Sequence, residues 1–290
     1  MATRLFRFSL QHDIEVDFVR QIIKKCGIKC ESPETENWPW PIKLYTLGRF
    51  IVVIDDVPLR FTGKAQRKPL DLLKALVALG GREVSSSIII QSLWPDSEGD
   101  AGQPTFDSTV HRLRKLLGRD DVILVNDGRL TLNAQFVWVD VWAFERLLGK
   151  VETLVGLQGD DSNPSPSEIA GIAFRLYQGH FLGREGEQPW MLGMREKLRS
   201  KWLRHLVALG RHWEASGEWD KAAELYQRGL ELDTLAEELY RRLMTIYLRR
   251  GQRASALEVY RRCRQMLSVV LGVKPSAEME ALRQSVRTEN

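Results

Sequence analysis

Apolar residues recur at every second position between Ile42 and Phe61 and at every third or fourth position over most of the remaining chain, so a little strand is expected among many helices. Ile42, Leu44 and Thr46, then Phe50-Ile51-Val52-Val53-Ile54, then Pro58-Leu59-Arg60-Phe61 after an Asp55-Asp56 turn, read as a short antiparallel meander. Three short strands cannot bury both faces alone, so helices must pack beside them. Three follow. Pro69–Leu79 has helical spacing and stops at Gly80-Gly81, a glycine C-cap signal. Ser85–Trp94 is shorter, with Ser85 or Ser86 as N-cap and Pro95 as its stop, and Thr105–Leu117 comes after a loop over 95–104 and ends at Gly118. Val122–Leu132 then reads as a hairpin, because Asp127-Gly128 suits a tight turn with positive φ.

Ahead of the meander, residues 1–38 hold one amphipathic helical stretch, Glu15–Lys25, too little to fold alone. Pro33 and the run Trp38-Pro39-Trp40-Pro41 remove donors and favour extended backbone, which places a boundary at 31–41. From Asp140, a candidate N-cap, the pattern is helical to the end, with breaks over 159–166 and 183–189. Residues 206–273 repeat themselves at an offset of 34: Leu209 with Leu243, Trp213 with Tyr247, Gly217 with Gly251, Ala222 with Ala256, Tyr226 with Tyr260. An aromatic, a glycine at the turn, a small alanine and a second aromatic at that period are the tetratricopeptide signature, in which the alanine lets paired helices approach.

Charge changes the picture only locally. Lys and Arg number 42 against 38 Asp and Glu, a net +4 that announces no nucleic-acid protein by itself. The segment 240–274 carries 9 basic residues and 1 acidic one, which reads as a solvated helix face. The helix over 105–117 is more specific. On a wheel at about 100° per residue, Phe106, Val110, Leu113 and Leu117 fall on one side and Ser108, His111, Arg112 and Lys115 on the other, with Thr105 and Arg114 on the flanks. An apolar anchoring stripe opposite long cationic donors and short hydroxyls suits a helix lying in a DNA major groove, where an arginine fork takes guanine O6 and N7 together. The preceding helix and the following hairpin, with Arg129 at its tip, complete a winged helix-turn-helix, whose tip arginine reaches a minor groove or a phosphate. The fold class is therefore mostly α with a small β component: a winged helix-turn-helix over 42–133, then an α-helical tetratricopeptide-like repeat domain over 139–285.

Other chemistries find little support. The five histidines are scattered, no Gly-x-Ser-x-Gly elbow occurs and no carboxylates pair at a motif spacing, so no enzyme is expected. His205 and His212 lie seven apart on one helical stretch, and Cys26-x3-Cys30 is at most half a metal site; neither has completing ligands, and no metal or cofactor is expected. Three cysteines agree with a reducing compartment, and no apolar run is long enough to span a membrane, so a cytoplasmic protein without membrane contact is expected.

Residues 42–133 resemble the OmpR/PhoB-type winged helix: Asp107, Val110 and Arg112-Leu113-Arg114-Lys115 stand where that family's recognition helix has an Asp, an aliphatic and Arg-Leu-Arg-Lys. The resemblance places DNA contacts on Thr109, His111, Arg112 and Arg114, with Arg112 at a base and the others at phosphates. Two departures matter: His111 replaces a common Arg, which weakens a phosphate grip at neutral pH, and Gly128-Arg129-Leu130 stands in the wing where Gly-Tyr is usual. Further on, Val139–Glu145, Leu176–Leu182, Trp190–Arg195, Ala236–Met244 and Leu271–Ser276 resemble the bacterial transcriptional activation domain of SARP and AfsR-type activators. Together the two resemblances imply an activator that binds repeated half-sites on double-stranded DNA as a homodimer or tandem dimer. They also imply contact with RNA polymerase, through the loop Trp94–Pro104. Residues 1–38 look like the end of a helical domain of a longer MalT-like ATP-dependent regulator, although no Gly-x4-Gly-Lys-Ser/Thr occurs here. The alternative is a protein-interaction adaptor that uses its repeat groove and whose winged helix no longer binds DNA.

Overall fold

The computed structural model describes residues 2–30, 35–60, 66–96, 102–154 and 165–288. The chain divides into two compact units, 1–147 with 176–198 and 148–175 with 199–290, so that 176–198 packs with the first unit although it lies inside the repeat half of the sequence.

In the first unit, strands β1 (Ile42–Tyr45), β2 (Ile51–Ile54) and β3 (Val57–Pro58) form the expected meander, β1 pairing with β2 antiparallel from Ile42↔Ile54 to Tyr45↔Ile51. Asp55 and Asp56 take positive φ at the turn. Phe61, read as strand, lies outside the described residues. Helices α1 (Ala2–Gln11) and α2 (Val16–Cys26) precede the sheet. The apolar spacing marks only the second; Leu10 anchors the first, fully buried in spite of the arginines around it. The Trp-Pro run is buried: Trp38 and Trp40 are both 3% exposed and the Trp40 indole donates to the Thr35 carbonyl at 2.8 Å. Helices α3 (Arg67–Ala78), α4 (Ser86–Leu93) and α5 (Gly102–Leu117) follow, with a two-residue strand β4 (Val84–Ser85) between the first two. Helix α5 begins three residues earlier than expected. Pro104 sits inside its first turn, where a missing N–H costs nothing because those donors have no intrahelical partner.

The hairpin β5 (Ile123–Asn126) and β6 (Arg129–Leu132) turns at Asp127-Gly128, with φ of 46° and 69°, and β6 also pairs with β4 to make a three-stranded sheet. Strand β7 (Val137–Val139) was not foreseen. It closes the first sheet in the order β3-β2-β1-β7 by lying parallel to β1, Ile42 against Val137.

Asp140 opens helix α6 (Asp140–Leu154) and joins it to the end of β1. Its carboxylate accepts from the Thr46 N–H at 2.5 Å, the Thr46 hydroxyl at 2.6 Å, the Leu47 N–H at 2.7 Å and the Val141 N–H at 2.8 Å. The segment 177–182 completes this unit: Leu182 N–H donates to the Thr46 carbonyl, and Arg195 donates to the carbonyls of Phe181 and Leu182 at 2.8 Å each.

The second unit is helical: α7 (Pro166–Leu176), the later part of α8 (Pro189–Ala215), α9 (Trp219–Leu232), α10 (Glu237–Arg249), α11 (Arg253–Leu271) and α12 (Ala277–Thr288). The sequence break over 159–166 falls mostly outside the described residues. The period of 34 is structural. Gly217 and Gly251 take φ of 77° and 70° at the turns of two helical pairs, Ala222 and Ala256 are fully buried between helices, and Tyr226 and Tyr260 pack beside them. Arg241 and Arg242 pair with Glu238, and Arg242 also with Glu214, so part of the basic 240–274 segment is engaged within the repeat. Among the described residues no helix is long and apolar enough to cross a membrane, and no three metal-ligating side chains cluster. His205 is buried, its ring nitrogens 2.6 Å from the Lys201 carbonyl oxygen and 2.8 Å from that of Leu148; His212 is exposed, and the two share no site.

Candidate nucleic-acid interface

Helix α5 is held by an apolar side packed on α3 and α4: Phe106, Val110, Leu113 and Leu117 are each at most 4% exposed. That anchoring fixes which way the other face looks. Thr105, Ser108, His111, Arg112 and Lys115 are exposed along it, accompanied by Gln103 and Asp107, whose side chains bond at 3.0 Å. Arg112 folds back along the helix, its Nε 3.3 Å from the Ser108 carbonyl and one Nη 3.3 Å from the Ser108 hydroxyl. Both bonds are long and solvent-exposed, so the guanidinium can leave them for a stronger acceptor at little cost.

Two residues carried over from the resemblance are placed elsewhere. Thr109 is fully buried and its hydroxyl donates to the Thr105 carbonyl at 2.7 Å, so it presents nothing to solvent. Arg114 is half-buried, and its Nε and one Nη both donate to the Ile123 carbonyl, at 3.2 and 2.6 Å. The side chain ties the end of α5 to the first wing strand and is committed before any ligand arrives. It is a positioning residue in this arrangement.

The wing carries its charge at the turn. Arg129 is exposed beside the Asp127-Gly128 tip and donates to the Glu83 carbonyl at 3.2 Å. Two positive-φ residues at the centre give the turn whose twist matches the strands, and Gly128 takes the second of them without a Cβ penalty. Leu130 and Leu132 are buried below, so the hairpin is seated on the helices and its tip is fixed relative to α5. Arg119, also exposed and near the end of α5, is spent on Asp121, whose carboxylate takes both of its forks at 3.0 Å. The exposed cations that remain along α5 and the tip are Arg112, Lys115 and Arg129.

Comparisons with known proteins agree with this architecture. The sequence profile of the bacterial transcriptional activator domain matches residues 139–287. Regulatory protein AfsR of Streptomyces griseus is 25% identical over 233 residues, which is 78% of this chain; the chain spans only 22% of that protein's length. Among solved structures, EmbR of Mycobacterium tuberculosis in complex with a low affinity phosphopeptide has the same fold, with a TM-score of 0.61 at 20% identity over 86% of this chain and 65% of that one. With half of its length matched by that profile, the chain belongs to the bacterial transcriptional activator domain family.

Proposed function

We propose that the chain is a sequence-specific DNA-binding activator whose α5 lies in the major groove and whose β5–β6 tip reaches the adjacent backbone or minor groove. The observation that carries this reading is one exposed face, Ser108, His111, Arg112 and Lys115, on a helix whose opposite side is sealed into the core. Arg112 is the base reader, Ser108 and Thr105 serve base or phosphate, and Lys115, His111 and Arg129 hold phosphates. The winged helix over 42–133 is the DNA-binding domain and the helical repeats over 139–285 serve dimerisation or tandem loading on repeated half-sites. RNA polymerase contact falls to the connection Trp94–Pro104, of which 97–101 lie outside the described residues.

Selection of bound duplexes from a random pool tests this, run side by side with Arg112→Ala and Lys115→Ala. Wild type is expected to enrich a repeated half-site spaced near one helical turn, about 10–11 bp. Arg112→Ala should lose about 1–3 kcal/mol of discrimination at one base position, whereas Lys115→Ala should weaken all duplexes alike and lower the salt slope by about 1. Equal affinity of wild type for random and selected duplexes would overturn the reading.

A further inference from the structure

The first unit contains a cleft of about 630 Å³ that the DNA reading does not use. It lies between α3, the end of α4 and the segment 185–191, and its volume is in the range of small-molecule sites, about 300–1,000 Å³. Its floor is neutralised from within. Lys74, 7% exposed, places its ammonium 2.8 Å from Glu185, 3.8 Å from Asp71 and 4.8 Å from the centre of the Phe50 ring. Burial pushes the Asp71 carboxyl above the ordinary range in spite of Lys74 beside it, so the floor repels further negative charge less than two free carboxylates would. The Lys74–Glu185 pair also ties the segment bearing Trp190 to α3.

At the mouth the balance reverses. Arg67 and Lys68 both line the cleft and both are exposed, which with Lys74, Asp71 and Glu185 leaves one positive charge in excess. Leu93, Pro95, Trp190 and Met191 supply the apolar part of its lining, the Trp190 indole being a flat surface, with Gln91 and Gln188 as neutral donors. Lys68 is already tied to the end of α4. Its ammonium donates to the carbonyl of Leu93, the last residue of α4, at 3.1 Å and stands 5.5 Å from the Trp94 ring. An anion in the cleft competes with that carbonyl for the ammonium, and a charged acceptor is the stronger one.

We propose that this cleft is an effector site for a monoanionic organic molecule with a flat apolar body, of the aromatic carboxylate class, and that its carboxylate draws Lys68 off Leu93, loosening the α4 terminus from which the chain runs on to α5. The ligand then changes the affinity of the DNA-reading face, a consequence that rests on the function proposed above.

The test uses the full chain and 2-naphthoate as probe, with the uncharged 2-naphthamide as control, followed by calorimetry. One 2-naphthoate per chain is expected, bound at least about tenfold more tightly than the amide, and Lys68→Gln or Arg67→Gln should erase most of that preference, about 1.4 kcal/mol. Trp190→Ala should weaken both probes alike. No binding of 2-naphthoate, or equal binding in wild type and both cation variants, overturns the site. With the selected duplex, 2-naphthoate should shift DNA affinity several-fold in wild type and not in Lys68→Gln; binding of the probe without that shift overturns the coupling to Lys68. Calorimetry reads the probe without DNA, so a chain that selects no duplex overturns the DNA reading and leaves the site to stand or fall by the heats.

Discussion

Asp140→Ala is expected to lower the stability of the first unit by about 3–5 kcal/mol, because it strands several buried donors at once. Asp140 is 1% exposed, and its two oxygens are the acceptors for the N–H groups of Thr46, Leu47 and Val141 and for the Thr46 hydroxyl. The residues that carry these donors are themselves buried, Thr46, Leu47 and Val141 each being at most 2% exposed. Asp140→Asn should be damaging too, since the amide nitrogen cannot accept from the buried donors, whereas even a protonated carboxyl keeps an accepting lone pair on each oxygen. The pH dependence has a definite sign. Burial raises the Asp140 carboxyl to about 6, outweighing the donors that favour its ionised form. A folded value above the ordinary 3.8 means that the folded chain holds this proton longer than the unfolded one. The contribution of the group to stability is therefore complete below about pH 4 and is lost as pH rises through about 6. Denaturant unfolding of wild type and Asp140→Ala at pH 4, 5, 6 and 7.5 should show a gap that narrows with rising pH. A gap that is constant, or that widens, would show that the hydrogen bonds rather than burial dominate the titration.

Much of the fold was readable because its signals are local. The 34-residue repeat, the Asp-Gly turn and the apolar stripe of α5 each lie within a few turns of chain, and each stands where the pattern placed it. Strand β7 was not readable for the opposite reason. Val137-Trp138-Val139 is too short to show a period, and its partner β1 lies almost a hundred residues earlier, so only the parallel pairing makes it a strand. The Trp-Pro run, whose prolines mark a boundary, carries two indoles that are each 3% exposed, a burial that no local pattern signals.

The candidate interface divides along the same line. Positions opposite the stripe, Ser108, His111, Arg112 and Lys115, are exposed as the wheel requires. Thr109 and Arg114 lie about 70° to either side of the stripe centre, where the wheel leaves the environment to whatever packs alongside. On one flank Thr109 is covered and its hydroxyl closes on Thr105; on the other, Arg114 meets the start of the wing. The similarity in sequence to a recognition helix carried both residues over as DNA contacts, and it had no access to the carbonyl of Ile123, which takes the arginine. Nothing in the pattern marked the Lys74 cleft either, because α3 and the segment 185–191 that line it are more than a hundred residues apart.

The repeat unit gives a second large effect, at a position where two rules disagree. Gly210 lies inside α8, and helix propensity alone favours replacing it, by about 1 kcal/mol for alanine. Packing opposes this more strongly. A Cβ on Gly210 would overlap the ring and hydroxyl of Tyr226, which is fully buried and donates to Glu214 at 2.7 Å, so the ring cannot swing aside without breaking that bond. Gly210→Val should therefore cost about 3 kcal/mol, as overpacking against a fixed neighbour does, and Gly210→Ala should be the smaller net loss. The second repeat shows why glycine is needed only once: Met244 stands 34 residues on, and the Tyr260 hydroxyl turns instead to Glu280 on α12. Adding Tyr226→Ala to Gly210→Val should recover part of the loss, a coupling of at least about 1 kcal/mol in a double-mutant cycle read by thermal unfolding. If Gly210→Ala proves as stable as wild type, Tyr226 has room to move, and the close approach of the two helices is not what fixes this pair.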